Sequence, residues 1–323
     1  MLPVHFAPLQ GFTESSYRLA HYRNAPGIDT YYTPFLRLEK GEIRPKDLRN
    51  LEADRLKIRD GRIAEGDLQQ KPPYRLVPQI IVRDAEEFET LTAAVSGLGF
   101  KRIDINMGCP FPMQTKSGRG SGLLKHPEKV REILDAVARH GKGENPVRFS
   151  VKMRIGLDSP EDSLRLLPLL NDAPLVHVAL HPRLGIQQYK GALHFDIFDL
   201  FYKECKHPFL FNGDLADPVQ IKSVEERYPG LAGIMIGRGL LANPVLAAQY
   251  AGIPCGNATE TLLKIHAEVF LDYRQRLQGD AQVLDKLRPF WTYAELPKKI
   301  RKRIEKSRTL EEYLEAVESM RQA

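Results

Sequence analysis

Short apolar stretches alternate with longer amphipathic stretches through residues 1–244. Glycine, proline or polar residues bound each apolar stretch, which favours a strand that ends in a turn. Strand and helix patterns in alternation predict a parallel sheet. The predicted strands cover 4–7, 30–35, 76–82, the first part of 101–110, 148–153, 175–180, 209–211 and 233–236, and the clearest helices between them cover 14–21, with Thr13 as N-cap, 86–98 and 127–138.

Roughly eight strand–helix units in about 245 residues predict a closed (β/α)8 TIM barrel, an α/β fold. The polar segment 40–71 is interpreted as a helix with an excursion loop. Beyond Asn243-Pro244 the pattern changes, because 259–277 and 310–321 are amphipathic and helical with almost nothing strand-like between them. We therefore predict a barrel domain over 1–244 and a C-terminal all-helical domain over 245–323.

Composition narrows the class of protein. The chain has 323 residues, 42% hydrophobic content and a formal net charge of +6, so a polyanionic partner is compatible but only weakly indicated. No apolar run approaches the roughly 18 residues of a membrane span, and the N-terminus lacks a signal-peptide pattern. Three cysteines, Cys109, Cys205 and Cys255, are odd in number and far apart. They argue against a disulfide framework or a metal cluster and fit a cytoplasmic protein.

Polar residues follow successive predicted strands at the point where each strand ends. They are Gln79, Asn106, Cys109, Lys152, His181, Asn212-Gly213-Asp214 and Gly237-Arg238. In a barrel these ends meet at one mouth, where active sites are built. A single glutamine or histidine there is more often structural, but one polar residue per strand at the same boundary indicates a site.

Three parts of this set suggest specific chemistry. The loops after strands seven and eight of a barrel commonly bind phosphate, which suits 212–214 and 237–238, although two ordinary glycine turns remain an alternative. Lys152 stands in an apolar run, where a cation would stabilise a reduced flavin; the alternative is an edge-strand lysine that points to water. Residues 118–122, rich in glycine, are interpreted as a mobile lid beside Cys109.

The sequence resembles the tRNA-dihydrouridine synthase family, most like its C-type subgroup. The resemblance rests on Ala7-Pro8-Leu9-Gln10-Gly11, Asn106-Met107-Gly108-Cys109-Pro110, Val151-Lys152-Met153-Arg154-Ile155-Gly156, His181-Pro182-Arg183, Asn212-Gly213-Asp214 and Ile236-Gly237-Arg238-Gly239. It implies FMN in the barrel mouth, NADPH as reductant, and reduction of a tRNA uracil at its C5–C6 bond.

The resemblance also implies a role for individual residues. The isoalloxazine would be contacted by Pro8, Leu9, Gln79, Lys152 and His181, and the ribityl phosphate by Asn212, Gly213, Asp214, Gly237 and Arg238. Cys109 would donate the proton, which suits a thiol with an ordinary pKa near 8.5. Asn106 would hold the target uracil, and Arg154 and Tyr189 would contact further nucleotides.

The C-terminal segment carries many cations with aromatic residues among them, which suits RNA binding, although a solvated basic helix face is the alternative. Arg37, Lys286, Arg288 and Tyr293 resemble positions that the C-type subgroup uses to orient tRNA for modification of D-loop uridine 16. Two rival functions stay open: another FMN barrel reductase of dihydroorotate or enoate type, and a non-catalytic RNA-binding barrel. We expect a monomer without membrane or metal partners.

Overall fold

The computed structural model describes residues 1–51, 75–142 and 144–322. In these ranges nine parallel strands form the main sheet, and two short strands form a separate antiparallel pair. The parallel strands are β1 (Val4–Phe6), β2 (Thr30–Tyr32), β5 (Arg75–Val77), β6 (Gln79–Ile80), β7 (Arg102–Met107), β8 (Arg148–Arg154), β9 (Leu175–His181), β10 (Phe209–Asn212) and β11 (Gly233–Ile236), and the antiparallel pair is β3 (Leu38–Glu39) with β4 (Glu42–Ile43).

The order of strands in the main sheet closes it into a barrel. That order is β5-β2-β1-β11-β10-β9-β8-β7-β6, so its two end strands are neighbours in the chain with only Pro78 between them. Proline lacks the N–H that a continuous ladder needs, which explains why the third barrel strand is split. The Pro78 carbonyl still accepts from the Asp104 N–H over 2.8 Å. The predicted TIM barrel is confirmed.

Helices lie between the strands and make up most of the chain after β11. Their bounds are α1 Ser15–Asn24, α2 Ala85–Gly97, α3 Pro112–Thr115, α4 Pro127–His140, α5 Glu161–Leu164, α6 Leu167–Asp172, α7 Phe195–Glu204, α8 Pro218–Arg227, α9 Arg238–Ala242, α10 Leu246–Ala251, α11 Ala258–Arg276, α12 Gly279–Leu287, α13 Lys298–Lys306 and α14 Leu310–Glu318. Short 3₁₀ helices cover Gly120–Lys125, Gly185–Gln187, Arg288–Trp291 and Ser319–Gln322.

Two local expectations differ from the structure. Helix α1 has Glu14, and not Thr13, at its N-cap position. The Thr13 hydroxyl accepts from the Leu9 N–H over 2.9 Å and donates to the Leu9 carbonyl over 3.2 Å, so it closes the preceding turn instead. Within 40–71, the hairpin of β3 and β4 was not expected, residues 45–51 are helical, and 52–71 lie outside the described residues.

The chain divides into two compact units. The first comprises 1–8, 29–213 and 224–236 and contains the barrel strands, and the second comprises 9–28, 214–223 and 237–323. Within the second unit α1 packs on α11, where Ser16 Oγ donates to Asp272 Oδ2 over 2.5 Å. The domain boundary at residue 244 stays a prediction. In the described ranges, no helix has the length and apolarity that crossing a membrane requires.

Candidate active site

Asn106 organises the turn that presents Cys109. Strand β7 ends at Met107, so the next backbone N–H groups have no neighbouring strand to bond. Asn106 Oδ1 accepts from the Gly108 N–H over 3.0 Å and from the Cys109 N–H over 2.8 Å. Because a side-chain amide replaces the missing ladder bonds, the chain turns at once and the thiol lies at the carboxyl end of β7.

A buried chain of hydrogen bonds fixes the orientation of this amide. Asn106 Nδ2 donates to Gln79 Oε1 over 2.8 Å, and Gln79 Nε2 donates to Asp104 Oδ2 over 2.7 Å. Ser150 Oγ donates to Asp104 Oδ1 over 2.5 Å. The residues belong to β6, β7 and β8, and Asp104 lies opposite both Gln79 and Ser150 in the parallel register. The network therefore follows directly from the strand pairing.

Asp104 sets the direction of every hydrogen bond in this side-chain network. Burial raises the pKa of its carboxyl group to about 6, while the bonds from Gln79 and Ser150 act in the opposite direction, so the group is mainly ionised at neutral pH. A carboxylate only accepts, hence Gln79 donates to it and offers its oxygen to Asn106. Sequence reasoning missed Asp104 and Ser150. The signal was an acidic residue within the apolar alternation of β7.

The Cys109 thiol is buried, with 8% of the residue exposed, and packs with Phe35 and Ile81. Burial raises its pKa above the ordinary value, an effect that outweighs the nearby positive charges. A buried thiol with a raised pKa stays protonated at neutral pH. The resting thiol of Cys109 is therefore in its protonated form, which is a poor nucleophile.

The glycine-rich segment after Cys109 is a packed turn, whereas the sequence suggested a mobile lid. Residues 120–124 are buried in a 3₁₀ helix, and the Ser121 N–H and Oγ both donate to the Cys109 carbonyl, over 3.0 and 3.1 Å. Gly120 has φ +59°, and a Cβ there would lie 2.5 Å from the Cys109 carbonyl oxygen. Only glycine permits this approach.

Lys152 is the cation beside this turn. It pairs in register with Asn106 on one side and Ala179 on the other. Burial lowers the pKa of the Lys152 ammonium to about 8, and the charge of Arg154 lowers it further, against a smaller opposing effect of Asp104. Among the described residues no hydrogen bond or ion pair ends on this ammonium. Within the described part of the chain, the strand end thus holds a cation that is not hydrogen-bonded to any anion, which is costly for the fold.

Arg154 and His181 lie next to each other at the ends of β8 and β9. Arg154 is 2% exposed, donates from Nη1 to the Leu184 carbonyl over 2.8 Å and lies 5.5 Å from the centre of the Tyr189 ring. Its visible contacts support the loop after β9. The nucleotide contacts expected of Arg154 and Tyr189 stay predictions, as does the flavin contact of His181, which is buried.

The residues expected to bind phosphate lie in both units. In the first unit, Asn212 Nδ2 donates to the Met235 carbonyl over 2.7 Å and ties β10 to β11, with Gly213 directly after it. In the second unit, Arg238 Nη2 donates to Asp214 Oδ1 over 2.6 Å. Gly237 precedes α9, and the Leu9 N–H bonds Thr13. The phosphate and flavin roles of these residues and of Pro8 stay predictions.

Two of the expected tRNA contacts in the second unit touch the turn before α1. Lys286 Nζ lies 3.1 Å from Glu14 Oε1, and the rings of Tyr293 and Phe12 are 5.1 Å apart. Arg288 pairs with Asp285 over 3.5 Å. In the first unit, Arg37 is half-buried and donates to Met113 Sδ over 3.4 Å.

Helix α13 presents the basic face of the C-terminal segment. Ile300 and Ile304 are buried on one side of this helix. The opposite side lines a cavity of about 430 Å³ with Lys299, Lys302, Arg303 and Lys306, and with Glu312 and Glu315 of α14. A narrow apolar stripe opposite a wide cationic face suits phosphate contacts. Among residues 1–51, 75–142 and 144–322, no group of three or more histidine, cysteine or carboxylate side chains could hold a metal ion.

The fold is that of TIM-barrel enzymes. Morphinone reductase in complex with tetrahydroNAD superposes with a TM-score of 0.53 at 10% identity, covering 79% of this chain and 88% of that one. The profile of the family described as Dihydrouridine synthase (Dus) matches residues 5–323. The chain therefore belongs to the dihydrouridine synthase family, whose members are flavin-dependent oxidoreductases.

Curated relatives agree with this family. The tRNA-dihydrouridine(16) synthase of Pseudomonas putida is 28% identical over 295 residues, covering 91% of this chain and 82% of the relative. A probable tRNA-dihydrouridine synthase of Staphylococcus epidermidis is 27% identical over 272 residues, covering 83% and 77%. Probable tRNA-dihydrouridine synthase 2 of Bacillus subtilis is 30% identical over 193 residues, covering 58% of each chain.

Proposed function

We propose that the protein reduces uridine 16 of the tRNA D-loop to 5,6-dihydrouridine, with FMN as cofactor, NADPH as reductant and Cys109 as proton donor. The observation that carries the proposal is the buried Cys109 thiol, held by the Asn106 turn with a raised pKa at the carboxyl end of a barrel strand. The name of the Pseudomonas putida relative supports position 16.

The residues at the strand ends fit an anionic flavin. Lys152 carries a charge without a partner among the described residues, and an anion beside it would offset the cost of its burial. Ala7 and Ala179 are small residues of the buried barrel interior. We propose that Pro8, Leu9, Gln79, Lys152 and His181 contact the isoalloxazine, and that Asn212, Gly213, Asp214, Gly237 and Arg238 hold the phosphate.

When bound, a flavin reduced by NADPH would supply a hydride for C6 of the uracil. The Cys109 thiol gives its proton to C5, so the C5–C6 double bond becomes single and the sulfur is left as thiolate. Lys152 and Arg154 both favour that thiolate, since their charges lower the thiol pKa. Water then returns the proton to the sulfur. A mainly protonated resting thiol is what a general acid requires.

The uracil must leave its stack to reach a barrel mouth. The Asn106 amide has two N–H hydrogens, and Gln79 takes one, so the second can donate to a uracil carbonyl. We propose that Arg154 and Tyr189 contact neighbouring nucleotides. Arg37, Lys286, Arg288 and Tyr293 would orient the tRNA, and the cationic side of α13 would contact its phosphates.

The test measures dihydrouridine in tRNA isolated from a strain that lacks the activity and is complemented with variants. Cys109→Ala should abolish the modification at position 16 while the protein keeps its flavin absorbance. The matched control is Cys255→Ala, which removes an exposed thiol and should leave full activity. Undiminished modification by Cys109→Ala would refute the acid role.

Other outcomes would favour the rival functions. Purified protein that stays colourless after reconstitution with FMN would indicate a non-catalytic RNA-binding barrel. Turnover of orotate or an enone without RNA would indicate a reductase of small molecules. For tRNA contact, Lys302→Ala with Arg303→Ala should weaken tRNA binding about tenfold and lower its salt dependence, unlike the exposed Lys203→Ala. A monomeric, cytoplasmic protein remains our expectation.

A further inference from the structure

Three arginines gather at the amino end of the barrel, on the side where its strands begin. Arg75, Arg102 and Arg148 are the first residues of β5, β7 and β8, and all three line one small cavity. Arg102 and Arg148 are directly opposite each other in the register of their strands. Like charges opposite each other in a sheet repel, so this arrangement destabilises the fold unless an anion lies between them.

Within the described chain, no carboxylate is paired with any of these three arginines. No described hydrogen bond or ion pair ends on the Arg75, Arg102 or Arg148 guanidinium groups, all of which belong to exposed residues. Asp104 acts on Tyr32 of this cavity together with Arg102 and Arg75, but its two oxygens accept from Gln79 and Ser150 and not from an arginine. The positive field is felt nearby, because Arg75 and Arg102 add to the effect of burial in lowering the pKa of His5 to about 4.

The interior of the cavity is polar and holds an unused hydroxyl. Thr30 is 2% exposed, lines the cavity, and its Oγ1 has no hydrogen-bond partner. His5, Tyr32 and His177 form a second polar group there: Tyr32 Oη lies 2.9 Å from His5 Nδ1 and 3.2 Å from His177 Nε2. The cavity has a volume of about 30 Å³, room for one water-sized group.

We propose that this amino-end site binds a phosphate group, with Arg75, Arg102 and Arg148 around the anion and Thr30 as a hydroxyl donor to one of its oxygens. Guanidinium groups pair with phosphate oxygens through two parallel hydrogen bonds, and three of them match a dianion better than a single carboxylate. The exposed arginines bind most of the phosphate group, while the cavity has room for one of its oxygens. The site lies at the end of the barrel opposite to Cys109 and is separate from the proposed flavin site.

The experiment uses the FMN-loaded full chain in a phosphate-free buffer and inorganic phosphate as the probe. Phosphate should raise the thermal unfolding temperature of the parent protein in a saturable way, without releasing flavin. Arg102→Gln combined with Arg148→Gln should weaken phosphate binding about tenfold or more. Arg131→Gln, which removes an exposed helical arginine elsewhere, is the matched control and should bind like the parent.

Thr30→Val is a second variant that separates binding from folding. Removing a buried hydroxyl without a partner should leave the phosphate-free stability equal or higher, while phosphate binding falls. Equal stabilisation by phosphate in the parent and in the Arg102→Gln/Arg148→Gln variant, or none in the parent, would overturn the site. If phosphate displaces tRNA from the parent but not from this variant, the natural ligand of the site is a phosphate of RNA. If phosphate displaces tRNA from neither protein, the natural ligand is the phosphate of a small molecule.

Discussion

Asn106 donates from its side-chain amide to the side-chain oxygen of Gln79 over 2.8 Å, and this one bond couples the Cys109 turn to the interior of the barrel. Through Gln79 the turn is connected to Asp104, whose carboxylate imposes the direction of each amide. Asn106, which forms the turn, and Asp104, which orients the Asn106 amide through Gln79, thus act together. The position of the thiol depends on both.

The network predicts a rescue by exchange of two side chains. Asn106→Asp alone should destabilise the protein by about 2 kcal/mol or more, because either Asp104 or the new carboxylate would then face the Gln79 oxygen. Combining it with Asp104→Asn should recover at least half of that loss. Gln79 would reverse its amide, and every donor would again meet an acceptor.

Unfolding in denaturant of the parent, both single variants and the double variant measures this coupling free energy. A double variant whose destabilisation equals the sum of the two single losses would mean that the amide directions do not matter. The rate at which iodoacetamide alkylates Cys109 in the double variant then reports whether the restored turn also restores the thiol position, since this readout does not depend on the Asn106 N–H proposed for the uracil.

Lys152→Met should make the flavin-free protein more stable at neutral pH and reduce its flavin content. The folded pKa of Lys152 is about 8, below the ordinary 10.5, so the unfolded chain binds more protons between these values. Stability of the parent should therefore rise with pH across this window, while Lys152→Met lacks this contribution. The expected gain at about pH 7 is on the order of 1 kcal/mol.

Denaturant midpoints near neutral pH and near pH 10 measure this difference, with flavin absorbance after reconstitution as the second readout. Lys203→Met, on a lysine whose side chain is 80% exposed, is the control and should change neither quantity. A Lys152→Met variant that binds flavin as the parent does would contradict the proposed cofactor contact.

Cys109 should react with iodoacetamide at least about tenfold more slowly than Cys255 near neutral pH. Burial both shields the thiol and raises its pKa, whereas Cys255 is exposed. The alkylation rate of Cys109 should rise only when the pH exceeds the ordinary pKa of a thiol, since the thiolate is the reacting form. Mass spectrometry of the two alkylated peptides gives both rates, and faster labelling of Cys109 near neutral pH would disprove the protonated resting state.

Gly120→Ala should destabilise the protein more than Gly252→Ala does. Both glycines have φ near +60°, but a Cβ on Gly252 meets nothing within 4 Å, whereas a Cβ on Gly120 would lie 2.5 Å from the Cys109 carbonyl oxygen. The control should lose about 1 kcal/mol from backbone strain alone. Gly120→Ala should also slow uridine reduction, because the Cys109 backbone must move. Thermal unfolding and the tRNA assay measure the two effects, and equal losses for both variants would argue against the close contact.

Patterns along the sequence were sufficient for the barrel. Each strand carries its own apolar signature and turn residues, so eight strand positions and the residues at their ends could be predicted before any tertiary contact was known. The Cys109 turn could be predicted for the same reason, because Gly108 and Pro110, which make the chain turn, are the residues on either side of Cys109. The hairpin of β3 and β4 was missed, since its strands are too short for a periodic signal.

The tertiary structure decided what depends on neighbours across strands. That Asp104 directs the amides of Gln79 and Asn106, that Gly120 contacts Cys109, and that Arg102 faces Arg148 are consequences of register and packing. Hydrophobic periodicity indicates which face of a helix or strand is buried, and it can be read from residues that are close together in the sequence. Which polar groups meet inside that face depends on the alignment of segments far apart in sequence, and this alignment exists only once the barrel has closed.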